Sequence, residues 1–113
     1  MKDLSIPDSA LAKKATQLVA EVSPKFLYNH CIRTYLFAEA IAQRDGLKYD
    51  RELLYLGAVM HDLGLTERFD SNQRFEVDGA DAARIFLVEH GLPTEKAEII
   101  WDAIALHTSI GIA

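Results

Sequence analysis

The chain has 113 residues, half of them apolar and 26% charged, with 17 acidic against 12 basic side chains and a formal net charge of −5. That size points to one domain, and that composition excludes disordered, fibrous and low-complexity classes. The densest basic pair is Lys13-Lys14, so the stripe needed to grip a phosphate backbone is missing and no nucleic-acid partner is expected.

Leu11, Ala15, Leu18 and Val22 are spaced at three or four, which predicts a helix entered at Pro7-Asp8-Ser9 and ending near Val22. Ser23-Pro24 reads as an N-cap and first helical residue of a second helix, running to about Asp45 and stopped by Gly46. Its apolar residues include Phe26, Leu27, Leu36, Phe37, Ala40 and Ile41, too many for a surface helix, so a central place is expected. Asp50 caps a third helix, with Glu52 at the positive end of its dipole. That helix carries Leu53, Leu54, Leu56, Val59 and Met60 and stops near Asp62, with Gly64 just beyond. Leu65 to Val77 reads as a long polar connection, a feature that often carries function. A fourth helix is expected from about Asp78 to His90, closed by Gly91, and a fifth from Pro93-Thr94 to about Thr108. No alternating run or hairpin turn supports a strand, so the expected fold is all-α, five helices in a single domain over residues 1–113.

The longest apolar run, Leu53 to Met60, is far short of the roughly 20 residues of a membrane span, so no membrane partner is expected. The segment Met1-Lys2-Asp3-Leu4-Ser5 has no secretion signal, and Cys31 is the single cysteine, which fits a reducing, cytoplasmic setting. The apolar end Ser109-Ile110-Gly111-Ile112-Ala113 follows directly on a helix. It reads as an early stop, and the apolar surface it would leave uncovered suggests a homo-oligomer.

Four histidines occur, at 30, 61, 90 and 107. His30 shares a face with Thr34, Phe37 and Ile41, His61 ends the most apolar helix, and His107 shares a face with Ile100, Ala103 and Ile104. An imidazole in an apolar place needs a hydrogen-bond partner or a metal. At a fraying helix end followed by Gly64, His61 and Asp62 can turn toward one ion, which adjacent residues in a regular helix cannot do. Imidazole and carboxylate suit zinc, manganese, iron, nickel or cobalt, and His30 is placed to supply a third ligand.

His30 … His61-Asp62 resembles the signature of the HD superfamily of metal-dependent hydrolases. The contexts resemble it too: Tyr28-Asn29-His30-Cys31-Ile32-Arg33-Thr34, then Gly57-Ala58-Val59-Met60-His61-Asp62-Leu63-Gly64. Arg74-Phe75-Glu76-Val77-Asp78-Gly79-Ala80 and Ala105-Leu106-His107-Thr108 resemble the subgroup that includes cyanamide hydratase. The resemblance implies an all-α domain holding metal through a histidine, a His-Asp pair and a later aspartate. None of Asp70, Asp78, Asp81 and Asp102 matches that last ligand, so the chain reads as lacking the C-terminal helices of the family, or as holding metal with three ligands, or as completed by a partner subunit.

A divalent transition metal on His30, His61 and Asp62 would acidify water and polarise a small-molecule substrate. Phosphate-ester hydrolysis is the leading expectation, followed by hydration of a small nitrile, then a catalytically incomplete binding module. Asp62, Glu76 and Asp78 are the candidate catalytic carboxylates, although Asp78 is equally placed to cap the fourth helix. Arg33, Arg68 and Arg74 are candidate anion binders or ordinary surface charges. His107 is a candidate extra ligand or a plain buried histidine, His90 suits the negative end of a helix dipole, and Cys31 is expected to pack rather than ligate.

Overall fold

Ser9 and Asp50 start two of the helices as their positions predict. Ser9 Oγ accepts the Ala12 N–H at 3.0 Å and opens α1, Ala10–Val22. Asp50 Oδ1 accepts the Leu53 N–H at 3.1 Å and opens α3, Arg51–Met60, with Glu52 in its first turn. Between them lies α2, Lys25–Arg44. A 3-10 turn, Leu63–Leu65, follows α3, and then come α4, Phe75–Glu89, and α5, Thr94–Leu106. The computed structural model describes residues 6–70 and 74–106, and among these there is no strand. Among the described residues the fold is all-α with five α-helices, as the sequence predicts.

Two starts differ from expectation. Pro24 is the N-cap of α2 rather than its first residue. Its extended backbone aims its carbonyl at the Tyr28 N–H, 3.0 Å away, so the cap is made by the main chain. Helix α4 begins at Phe75, three residues ahead of Asp78, with Arg74 at the N-cap. Asp78 therefore lies in the first turn beside Glu76 and does not cap the helix. Two carboxylates there face the positive end of the helix dipole.

The ends of α2 and α4 share one device. Gly46 (φ 67°) and Gly91 (φ 101°) turn left-handed, as glycine does freely. Leu47 N–H then reaches the Ala42 carbonyl and Leu92 N–H the Leu87 carbonyl, each at 2.9 Å, closing two Schellman motifs.

The centre of the molecule is α3, not α2. Tyr55 to Met60 are all buried, and α3 touches each of the other four helices. A helix buried all round is apolar all round. Helix α2 buries Leu27, Cys31, Tyr35 and Ala42 on one face, while Phe26 and Phe37 are 74% and 59% exposed. Its apolar residues are spread around the cylinder, so their number overstated its burial. No described helix is long and apolar enough to cross a membrane.

Polar contacts join the helices at their edges. The Ser9 hydroxyl donates to Glu52, and the hydroxyls of Thr16 and Tyr55 pair, tying α1 to α3. Between α2 and α3, the wholly buried Glu39 carboxylate accepts from Arg51 and from the Tyr49 hydroxyl. The Tyr35 and Tyr55 rings meet edge to face below it, with centroids 4.9 Å apart. Trp101 Nε1 donates to Asp81 at 2.8 Å and Arg84 pairs with Glu98 at 3.0 Å, which fastens α5 to α4.

Candidate metal centre

His61 closes α3 in helical backbone geometry, and at Asp62 the chain turns away into the 3-10 turn (φ −102°, ψ 14°). That break brings two consecutive side chains to one point. Asp62 Oδ2 lies 3.3 Å from His61 Nε2 and 3.4 Å from His30 Nε2 on α2. One ligand atom from each of the three residues falls within 4.8 Å of the other two. The imidazole rings are 5.8 Å apart and tilted by 52°, so they converge without stacking.

His61 is held in one tautomer. Its Nδ1 lies 2.6 Å from the Ala58 carbonyl, which can only accept, so Nδ1 carries the hydrogen. In the neutral ring Nε2 then holds a lone pair aimed at the carboxylate oxygen. Two lone pairs at 3.3 Å repel, so the arrangement calls for a cation, either a proton or a metal. The separations to Asp62 match the roughly 3.0–3.5 Å between neighbouring donors around an ion with bonds near 2.1 Å. The donor set fits a divalent transition metal on both chemistry and spacing, and a carbonyl bonded to the far nitrogen is the usual support for a ligating histidine.

The cluster has a closed side and an open side. His61 and Asp62 are buried, whereas the His30 side chain is 42% exposed. His30 therefore lies on an accessible face and not within the apolar one its neighbours suggested. Behind it Cys31 is buried, and burial, reinforced by the Asp62 charge, pushes its thiol up to about 12. That keeps Cys31 a packed thiol, as expected.

Gly64 has a role that its place after a helix did not reveal. A Cβ there would stand 1.8 Å from the Phe75 carbonyl oxygen. A Cβ on Gly79 would meet Gly64 N at 3.1 Å and the His61 carbonyl at 3.3 Å. The first turns of α4 thus rest directly on the backbone that carries His61 and Asp62.

The other candidates stand apart from the cluster. Arg33 is exposed one turn along from His30, with no ion-pair partner among the described residues. Arg74 is exposed and pairs with Glu76 at 3.3 Å. Asp78 is buried and lines a groove of about 620 Å³ along α4. Neither Glu76 nor Asp78, nor any of Asp70, Asp81 and Asp102, joins the three clustered ligands. His90 caps the C-terminus of α4, its Nδ1 bonded to the Phe86 carbonyl at 2.8 Å. His107 lies outside the described residues.

Comparison with curated proteins gives no match. The family model described as HD domain matches residues 27–112, a span that holds His30, His61 and Asp62. With most of the chain inside that match, an all-α fold and a His, His-Asp cluster at a helix end, the chain belongs to the HD domain family, whose members are generally metal-dependent hydrolases.

Proposed function

We propose that the protein hydrolyses a small phosphate ester, with His30, His61 and Asp62 holding one divalent transition metal. The carrying observation is the single carboxylate oxygen of Asp62 shared by two imidazole nitrogens from separate helices. A cation bound there supplies Lewis acidity toward a phosphoryl oxygen and acidifies water near neutral pH. The Ala58 carbonyl fixes the His61 tautomer, and Asp62 brings negative charge into a buried place. His30 faces the accessible side, where substrate enters. Arg33, one turn away, offers a guanidinium to an anionic substrate. Glu76 is the proposed proton carrier and Asp78 the second choice, both in the first turn of α4, which rests on the segment after Asp62.

An exposed histidine beside an exposed arginine favours a phosphate ester over the small nitrile of a cyanamide hydratase-like enzyme, which calls for a closed apolar pocket. The single buried thiol supports a reducing, cytoplasmic setting. Exposed Phe26 and Phe37 support self-association.

The test measures bound metal by elemental analysis and turnover of p-nitrophenyl phosphate and of cyanamide. Expected are about one equivalent of metal per chain and metal-dependent release of nitrophenol, both lost in His61→Ala and Asp62→Asn. A folded wild-type protein that takes up no transition metal overturns the reading. Turnover of cyanamide alone replaces the substrate class.

A further inference from the structure

A second charged concavity lies away from the metal cluster, between α1, the C-terminal half of α4 and the segment after the 3-10 turn. Lys14, Gln17, Arg68 and His90 line a trough of about 280 Å³, together with Glu21. None of His30, His61 and Asp62 lines it. Lys14 and Arg68 have no acidic partner among the described residues, and Arg68 rests on the Phe69 ring with its carbon 5.5 Å from the centroid. His90 presents its Nε2 edge because its Nδ1 is taken by the Phe86 carbonyl. The trough therefore gathers two cationic side chains and an imidazole edge against the one carboxylate of Glu21.

It continues into the larger groove of about 620 Å³, with which it shares Leu18, Arg68, Phe86 and His90. The Phe86 and His90 rings stack on each other at the junction, with centroids 4.1 Å apart and planes tilted by 31°. Beyond it the groove is bordered by Ile85 and Phe69 and by Asp70, Asp78, Asp81 and Glu89. The exposed carboxylates of Asp70 and Glu89 disfavour a second anionic group there. Together the two spaces have the size and the mix of apolar wall and few polar groups that suit a small molecule.

We infer that this double trough binds a small organic anion, its single anionic head between Lys14 and Arg68 and its uncharged body along Leu18 and Phe86. Charge-assisted hydrogen bonds hold the head, and Leu18 with the stacked Phe86–His90 pair packs the body. Bound there, the ligand joins α1 to α4 through a segment that begins a few residues after Asp62.

The test uses the full chain, freed of metal by dialysis against chelator, so that it is independent of the proposed hydrolase activity. Phenyl phosphate and inorganic phosphate are titrated separately at low salt, followed by amide chemical shifts. Expected is saturable binding of phenyl phosphate, several-fold tighter than of phosphate, with shifts at Gln17, Arg68 and His90 and none at His61. The double variant Lys14→Ala/Arg68→Ala, both side chains being exposed, keeps its fold by circular dichroism and binds on the order of tenfold more weakly. His30→Ala binds as wild type. Absence of saturable binding, shifts centred on His61, or equal affinity in the double variant each overturns the site. Equal affinity for the two probes overturns the placement of the body.

Discussion

Gly64 and Phe75 approach so closely that a methyl group on the glycine would stand 1.8 Å from the Phe75 carbonyl oxygen. The obstacle is backbone, so Gly64→Ala must push α4 away from the segment that carries His61 and Asp62. The expected loss is on the order of 2–4 kcal/mol by denaturant unfolding, with weaker metal uptake. Gly57, inside α3, is the control. A Cβ there meets nothing within 4 Å, so Gly57→Ala is expected to stabilise by up to about 1 kcal/mol. A neutral Gly64→Ala would remove the close approach as a constraint.

Glu39 is wholly buried and depends on Arg51 for its counter-charge. Arg51→Met strands that carboxylate and is expected to cost about 3 kcal/mol. Glu39→Leu combined with Arg51→Met is expected to recover most of the loss, since a buried ion pair gains little over well-packed apolar groups. A double-mutant cycle from urea unfolding measures the coupling.

The Tyr35 phenol titrates above its ordinary value of 10, because burial and then the Glu39 carboxylate disfavour the phenolate. The unfolded chain gives up that proton first as pH rises. The stability tied to Tyr35 is therefore complete below about pH 10 and is lost above it. Tyr35→Phe is expected to lose less stability than wild type between about pH 9 and about pH 11, read as the shift in urea midpoint. Tyr55, whose phenol burial also raises, leaves a residual slope in both proteins.

Under the proposed function, proton and metal would compete for the same Nε2 of His61, since Nδ1 is committed to Ala58. Acidification is expected to release the metal, and chelator to lower the melting temperature at neutral pH. Asp62→Asn, which keeps the shape and removes the charge, is expected to weaken metal binding by more than about tenfold, by competition with a chromophoric chelator. Unchanged affinity would separate Asp62 from the ion.

The helices, their order and most of their caps were legible because they follow from local rules. Ser9, Asp50, Gly46 and Gly91 act as their residue types predict. The convergence of His30, His61 and Asp62 was legible from the helix break after His61. The start of α4 was not, because Asp78, a residue type that favours the cap, lies inside the first turn and Arg74 takes the cap without a side-chain bond. The central place of α3 was not, because counting apolar residues on α2 says nothing about which side they face. Glu39 looked like any charged helical residue, since Arg51 is twelve positions away in a different helix. The grouping of Lys14, Arg68 and His90 arises from three distant stretches and has no sequence signature.

Two of the three clustered donors are neighbours in the chain, while the third comes from a helix 31 residues earlier. Occupancy therefore knots a long excursion of polypeptide into a ring, in the manner of a reversible crosslink. Because only the folded chain presents the three donors together, such a knot would stabilise it by mass action. Under the proposed function, the docking of α2 against α3 and the grip on the ion become two sides of one equilibrium, so a lesion along that seam would be felt at the cation.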